Sequence, residues 1–288
     1  MAETERAPRV ALVIGSGGLK CAAAIGLWQA LQREGIEVDL AVGCSGGSLY
    51  AAFLALGFPV EMVKDFTLRF WTPEAMKGYS SNLRAAQSSL ARFDERSGLA
   101  DDGYMLARLR ECFGDHTFEQ ARIPLYLVAT DLYSGDKVVL ASGGLVEAIR
   151  ASAAIPIIYP AWERDGRLLI DGAACDPLPV DVAIKEGAQI IIAMGFTLSY
   201  RARLRSMTAM QEQMNSIYIN NILKSAFAFH NLAHHAEIIP ILPEFDRPIS
   251  MFDTDQIPYL IERGAQEADR HMPYLRRLLT ATHDRSAP

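Results

Sequence analysis

Gly43-Cys44-Ser45-Gly46-Gly47 fits the pattern G-x-S-x-G. A serine on a sharp turn between a strand and a helix has its hydroxyl lifted clear of the chain, and flanking glycines let other backbone approach it. The five letters alone also fit a plain glycine–serine turn. Their setting favours the chemical reading: the apolar run Val38–Val42 precedes them, and helical spacing over Ser48–Leu56 follows. A second loop, Gly15-Ser16-Gly17-Gly18, follows another apolar run and opens a helix. It points backbone N–H groups at one spot, with a helix dipole behind them. That arrangement could cradle a phosphate, stabilise an oxyanion in acyl transfer, or be a turn with no ligand. A dinucleotide loop, G-x-G-x-x-G, would need glycine where Lys20 stands, and the P-loop pattern fails as well. With Ser45 in view, the oxyanion role fits better, and no cofactor is expected.

A serine nucleophile needs a proton acceptor. His116, His230, His234, His235, His271 and His283 are the histidines, and none sits at a clear strand end. His230 and His234 are four apart on an expected helix but lack the neighbouring glutamate of H-E-x-x-H. They read as a helix face, not a metal site. Asp253 and Asp255 lack the glycine and distal glutamate of a calcium loop, so no metal is expected. Asp171 ends the apolar run Arg167–Ile170 and is followed by Gly172, as an active-site carboxylate would be; a cap or turn aspartate looks the same.

The elements that must position these groups are legible in outline. The chain has 288 residues, is half apolar and carries a formal net charge of −6. It has enough apolar material for a sizeable core and no basic run suited to nucleic acid. Cys21, Cys44, Cys112 and Cys175 show no paired spacing, so they read as buried thiols in a reducing compartment. At the N-terminus Glu3 and Glu5 offset Arg6 and Arg9, and glycines interrupt the apolar run, unlike a signal peptide. Ala41–Val60 carries no charge, but its glycines suit a strand, turn and helix better than a membrane span. The expectation is a cytoplasmic protein without a membrane span.

Strands are expected at Arg9–Ile14, Val38–Val42, Pro124–Thr130, Lys137–Leu140, Arg167–Ile170, Gln189–Met194 and Glu237–Ile241. Helices are expected at Leu19–Glu34, Ser48–Leu56, Gly144–Ser152, Val180–Glu186, Met207–Ala233 and Gln256–Leu279. The alternation implies an α/β fold with a mainly parallel sheet covered on both faces. Residues 58–122 are mostly helical in pattern, with a polar, featureless stretch at Ser80–Gly103. They read as an insertion over the sheet, a lid or wall. Its Phe66, Phe70 and Trp71 could line an acyl channel or touch a bilayer, or simply pack on the core.

These residues resemble the patatin-like phospholipases. Gly15–Lys20 is similar to that family's glycine-rich loop with its basic residue, and Gly43–Gly47 to its nucleophile turn. Arg150-Ala151-Ser152-Ala153-Ala154-Ile155-Pro156 resembles its R-A-S-x-x-I-P block. Asp171-Gly172-Ala173 is similar to its D-G-G/A motif, extended by Asp176–Val180. The blocks stand in the family's order over residues 9–195.

The resemblance implies a three-layer α/β/α fold and a Ser45–Asp171 dyad acting without histidine on lipid acyl esters. Backbone around Gly17, Gly18 and Gly46 would hold the oxyanion, supported by Gly15, Lys20, Gly43, Gly47 and Gly172. Cys21 replaces the glycine usual after the basic residue, which implies a packing change. Lys20 in place of the commoner arginine keeps the charge without the bidentate fork. An apolar setting for Asp171 would raise its pKa toward the working range. The expected partners are a lipid or acyl-ester substrate and transient contact with a membrane surface. A thioesterase, an acyltransferase or a non-catalytic lipid-binding module would fit the same residues. The expected organisation is a tail over 1–8, a core over 9–195 containing the insertion, and a C-terminal helical part over 196–288.

Overall fold

The computed structural model describes residues 8–72, 97–98, 100, 102–205, 207–233 and 235–284. Most of the expected tail and most of the polar stretch at Ser80–Gly103 lie outside the described residues. So does His234, and with it the His230–His234 pair.

Strand β1 is Val10–Ile14, and a 3-10 turn over Gly18–Ala22 leads into helix α1, Ala23–Arg33. Strand β2 is Leu40–Cys44 and helix α2 is Gly46–Leu56. Helices α3, Val60–Phe70, and α4, Gly103–Phe113, follow. Then come β3, Leu125–Asp131, β4, Lys137–Leu140, and α5, Leu145–Ser152. Next are β5, Trp162–Arg164, β6, Arg167–Asp171, α6, Val180–Lys185, and β7, Ile190–Met194. The chain closes with α7, Met207–Ala233, β8, Glu237–Ile241, and α8, Ile257–Asp284.

The fold is α/β, with one mixed, mostly parallel sheet between two helical layers. Its strands are linked in the order β5-β6-β3-β2-β1-β7-β8, and β4 also pairs with β3. Both faces of β1 are buried, as its unbroken apolar sequence requires. Leu12 and Ile14 face a core built with α1, α2 and α8, while Ala11 and Val13 face a second core built with α6 and α7.

Helices α1 and α8 cross in backbone contact. A Cβ at Gly26 would lie 2.0 Å from the Ile261 carbonyl oxygen, and one at Gly264 would lie 2.0 Å from that of Ala23.

Several expected boundaries move. The second strand begins at Leu40, where its pairing with Ala11 starts, and runs on to Cys44. The first helix begins as 3-10 at Gly18 because the tight loop before it is still turning. Strand β5 was not anticipated. It forms a hairpin with β6 across Asp165 and Gly166, both at positive φ, 51° and 72°. Asp-Gly flanked by apolar residues is the sequence signal for such a hairpin.

The sheet's register explains how distant residues meet. On β3, Val128 pairs with Cys44 of β2 and with Val139 of β4; the next residue, Ala129, pairs with Asp171 of β6 and with Val138 of β4. The β4 partners lie on one edge. Strands β2 and β6 therefore share the other edge, end to end. β2 runs parallel to β3 and β6 antiparallel, so their C-terminal ends face each other.

Candidate active site

Ser45 stands where β2 gives way to α2, with φ 54° and ψ −127°. A non-glycine residue in this region stores roughly 1–3 kcal/mol of strain, which the surroundings must hold. The flanking glycines, by contrast, are needed for close approach. A Cβ at Gly43 would come within 2.6 Å of the Ser48 Cα, and one at Gly47 within 2.2 Å of the Ile14 carbonyl. At Gly46 it would meet the Gly18 carbonyl oxygen at 2.7 Å, so the serine turn and the glycine loop are in backbone contact.

Asp171 arrives from the other end of the shared edge. Its Oδ2 accepts a hydrogen bond from Ser45 Oγ at 2.6 Å, and its Oδ1 accepts one from the Ala173 N–H at 2.9 Å. Both the base and the turn-cap readings of this aspartate thus have a geometric counterpart, one on each oxygen. Asp171 is 4% exposed and Ser45 7%. Burial pushes the Asp171 carboxyl up to about 6, and the hydrogen bonds from Ser45 and Ala173 oppose that shift. Its carbonyl oxygen accepts from Thr130 Oγ1 at 3.0 Å. Gly172 allows the two strand ends to close up, since a Cβ there would sit 2.3 Å from the Val128 carbonyl and 2.9 Å from Cys44 Sγ.

The glycine loop lies against this pair. Gly15 N–H donates to the Met194 carbonyl and Ser16 N–H to that of Pro177, which pins the loop's first half. No hydrogen bond among the described residues uses the N–H of Gly17, Gly18 or Gly46. Gly18 has φ +54°, where glycine carries no penalty. Lys20 is buried, donates from Nζ to the Thr197 carbonyl at 3.0 Å, and has its pKa lowered by desolvation. It ties the loop to the segment after β7. Cys21 fills a closed site, with its Sγ 3.4 Å from the Gly15 carbonyl oxygen.

A narrow cleft opens over Ser45, Gly46 and Gly18. Its walls are apolar. Phe70 and Trp71 come from the end of α3, Tyr104, Met105 and Leu109 from α4, and Ile155 and Tyr159 from the loop after α5. Of the three insertion aromatics, Phe70 and Trp71 line the cleft, while Phe66 stacks on Phe53 at 5.7 Å in the core. Among the described residues, no histidine lines the cleft. His116 bonds the Phe113 carbonyl, and His271 lies beside Glu267.

Two groups in the R-A-S-x-x-I-P block had no role assigned from sequence. Arg150 is fully buried and binds Asp102 Oδ2 at 2.7 Å and the Pro160 carbonyl at 2.9 Å. Ser152 is also fully buried, and its hydroxyl accepts the Ser45 N–H at 2.9 Å. A small hydroxyl in an apolar block is a weak signal, and only the fold shows what it faces.

A strained serine touching a buried carboxylate, with unused N–H groups beside it, is an arrangement suited to acyl transfer. Comparison with known proteins gives it a family. The patatin-like phospholipase profile matches residues 12–184. An uncharacterized NTE family protein of Mycobacterium tuberculosis is 32% identical over 229 residues, covering 78% of this chain and 59% of that protein. Neuropathy target esterase of Drosophila melanogaster is 29% identical over 187 residues, covering 64% of this chain and 13% of that protein. The human GIVD cytosolic phospholipase A2, solved with methyl gamma-linolenyl fluorophosphonate, has the same fold. Its TM-score is 0.51 at 12% identity, covering 99% of this chain and 61% of that one. The chain belongs to the patatin-like phospholipase family. It spans 59% of the length of the mycobacterial relative.

Proposed function

We propose that the chain is a serine lipid acyl hydrolase in which Ser45 is the nucleophile and Asp171 its base. The observation that carries this is the 2.6 Å contact between Ser45 Oγ and the buried Asp171 carboxylate, at the floor of an apolar cleft. A desolvated carboxylate with a pKa near 6 is a stronger base than a free one and is still ionised at neutral pH.

The reaction follows from the placement. Asp171 Oδ2 takes the Ser45 proton as Oγ attacks the ester carbonyl carbon. The carbonyl oxygen becomes an oxyanion and is held by N–H groups from Gly17, Gly18 and Gly46, which no acceptor among the described residues occupies. The tetrahedral intermediate collapses, Asp171 returns the proton to the departing alcohol, and an acyl-enzyme remains. Water then attacks the acyl carbon, Asp171 takes its proton, and the acid leaves as Ser45 Oγ is reprotonated. The acyl chain lies along Phe70, Trp71, Met105 and Leu109, away from water. We assign catalysis to residues 9–195, with Phe70, Trp71, Tyr104, Met105 and Leu109 of the 58–122 insertion walling the cleft. Among the described residues no helix is long and apolar enough to cross a membrane.

Fluorophosphonate labelling of the wild type, Ser45→Ala and Asp171→Asn, with short- and long-chain esters assayed in parallel, tests this. Labelling and turnover by the wild type alone support the dyad. A wild type that binds lipid tightly and returns it unhydrolysed would make the chain a binding module instead. Transfer of the acyl group to an added alcohol faster than to water would make it an acyltransferase.

A further inference from the structure

Ser45 Oγ reaches Asp171 from a backbone conformation that serine disfavours. Something must hold it. The Ser45 N–H donates to Ser152 Oγ at 2.9 Å. Ser152 Oγ is 2.6 Å from the Val128 carbonyl oxygen, which can only accept, so the single Ser152 proton goes there. Ser48 Oγ lies 2.7 Å away and must therefore be the donor of that pair. Ser152 Oγ gives one proton and accepts two, which leaves it no freedom to rotate. Val128 is the β3 residue paired with Cys44, one step before the residue paired with Asp171. Ser152 thus bridges the nucleophile turn to the strand on which both partners are registered.

We propose that Ser152 is a positioning residue, which fixes the Ser45 amide so that the Ser45 hydroxyl stays on Asp171. The same bond withdraws the Ser45 N–H from the cleft, and the oxyanion is left to the glycine loop and Gly46. This inference rests on the nucleophile–base reading for its effect on turnover, but the backbone restraint exists whether or not the chain is an esterase.

The test is Ser152→Ala, read two ways. Amide hydrogen exchange at Ser45 should accelerate roughly tenfold, the scale of one lost hydrogen bond. Val42, in the strand that leads to Ser45, should keep its rate. With a soluble ester, kcat should fall ~10–100-fold, the cost of a misplaced reacting group, while KM stays within about twofold because the cleft walls are untouched. The acid limb of kcat should also move to higher pH, because the Ser45 hydrogen bond that lowers the Asp171 pKa is weakened. The other titratable groups acting on Asp171 are the Cys21 and Cys44 thiols, which burial keeps neutral through this range. Ser152→Thr, which keeps the hydroxyl, should restore protection at Ser45 and part of kcat. If Ser152→Ala does not fold, Ser152→Cys takes its place, since sulfur is a weak acceptor. Equal acceleration at Ser45 and Val42, or an unchanged kcat, overturns the proposal. If the wild type lacks esterase activity, the hydrolase reading fails, and exchange at Ser45 alone decides the role of Ser152.

Discussion

Asp171 has two demands on it, and they conflict. As the proposed base it must be ionised, yet it lies in a buried site that favours its neutral form. With a folded pKa of about 6, kcat/KM for a soluble ester should rise with pH and level off above that value. A pH–rate profile checks this, and an acid limb near that of a free aspartate would contradict it. Stability should run the other way. Because the folded pKa lies above the unfolded one, the native state binds the proton more tightly, and stability falls as pH rises from about 4 to about 6. At pH 8 the ionised carboxylate costs ~3 kcal/mol, since its pKa rises from 3.8 to about 6 and each pH unit is worth about 1.36 kcal/mol. Asp171→Asn keeps an oxygen for the Ala173 N–H and has no charge to bury. It should raise the unfolding free energy at pH 8 by up to about that amount, with the gain vanishing near pH 4, while turnover is lost. Urea denaturation at the two pH values measures it.

At the scale of elements, the site depends on segments that meet without side chains between them. Helix α1 leads out of the glycine loop and is braced by α8 through Gly26 and Gly264. Alanine is ~1 kcal/mol better than glycine inside a helix. Gly264→Ala should nevertheless destabilise by ~1–3 kcal/mol, because the new Cβ falls 2.0 Å from the Ala23 carbonyl oxygen and the helices must part. Chemical denaturation decides the sign. The glycine loop should shift with α1, so kcat should fall more than KM rises. Sequence reading found most of these elements because their period and end signals are local: β-branched runs for strands, and Gly35 and Gly57 just past helix ends. It missed β5, whose three residues are too short to show a period. It could not see that β6 runs antiparallel to β3, since direction depends on where a strand lies, not on its composition.

Across the whole molecule, the start of α4 is pinned to the core by Arg150. Its buried guanidinium binds Asp102, the residue before α4, and that helix brings Tyr104, Met105 and Leu109 to the cleft. The aromatic rings of Tyr159 and Trp162 lie 5.3 and 5.5 Å from the same guanidinium. Asp102→Ala would leave a buried cation unpaired, at a cost of ~3–5 kcal/mol. It should raise KM for a long-chain ester several-fold and leave that for an acetate ester nearly unchanged, since only the long chain reaches the α4 wall. Parallel kinetics on the two esters separate this from a general loss of folded protein.

What the sequence determined by itself is local. Two glycine-flanked turns, an aspartate at a strand end and an alternation of strands and helices were enough to single out Ser45 and Asp171 as candidates and to predict a covered sheet. Each signal spans a few neighbouring residues, because turns and amphipathic periods are set by neighbours. Tertiary structure decided the rest. Ser45 and Asp171 are 126 residues apart and touch because β2 and β6 meet end to end along one edge of β3. The raised Asp171 pKa, the Ser152 acceptor and the apolar cleft follow from that meeting. Each depends on what packs around a group in space, which spacing along the chain does not encode.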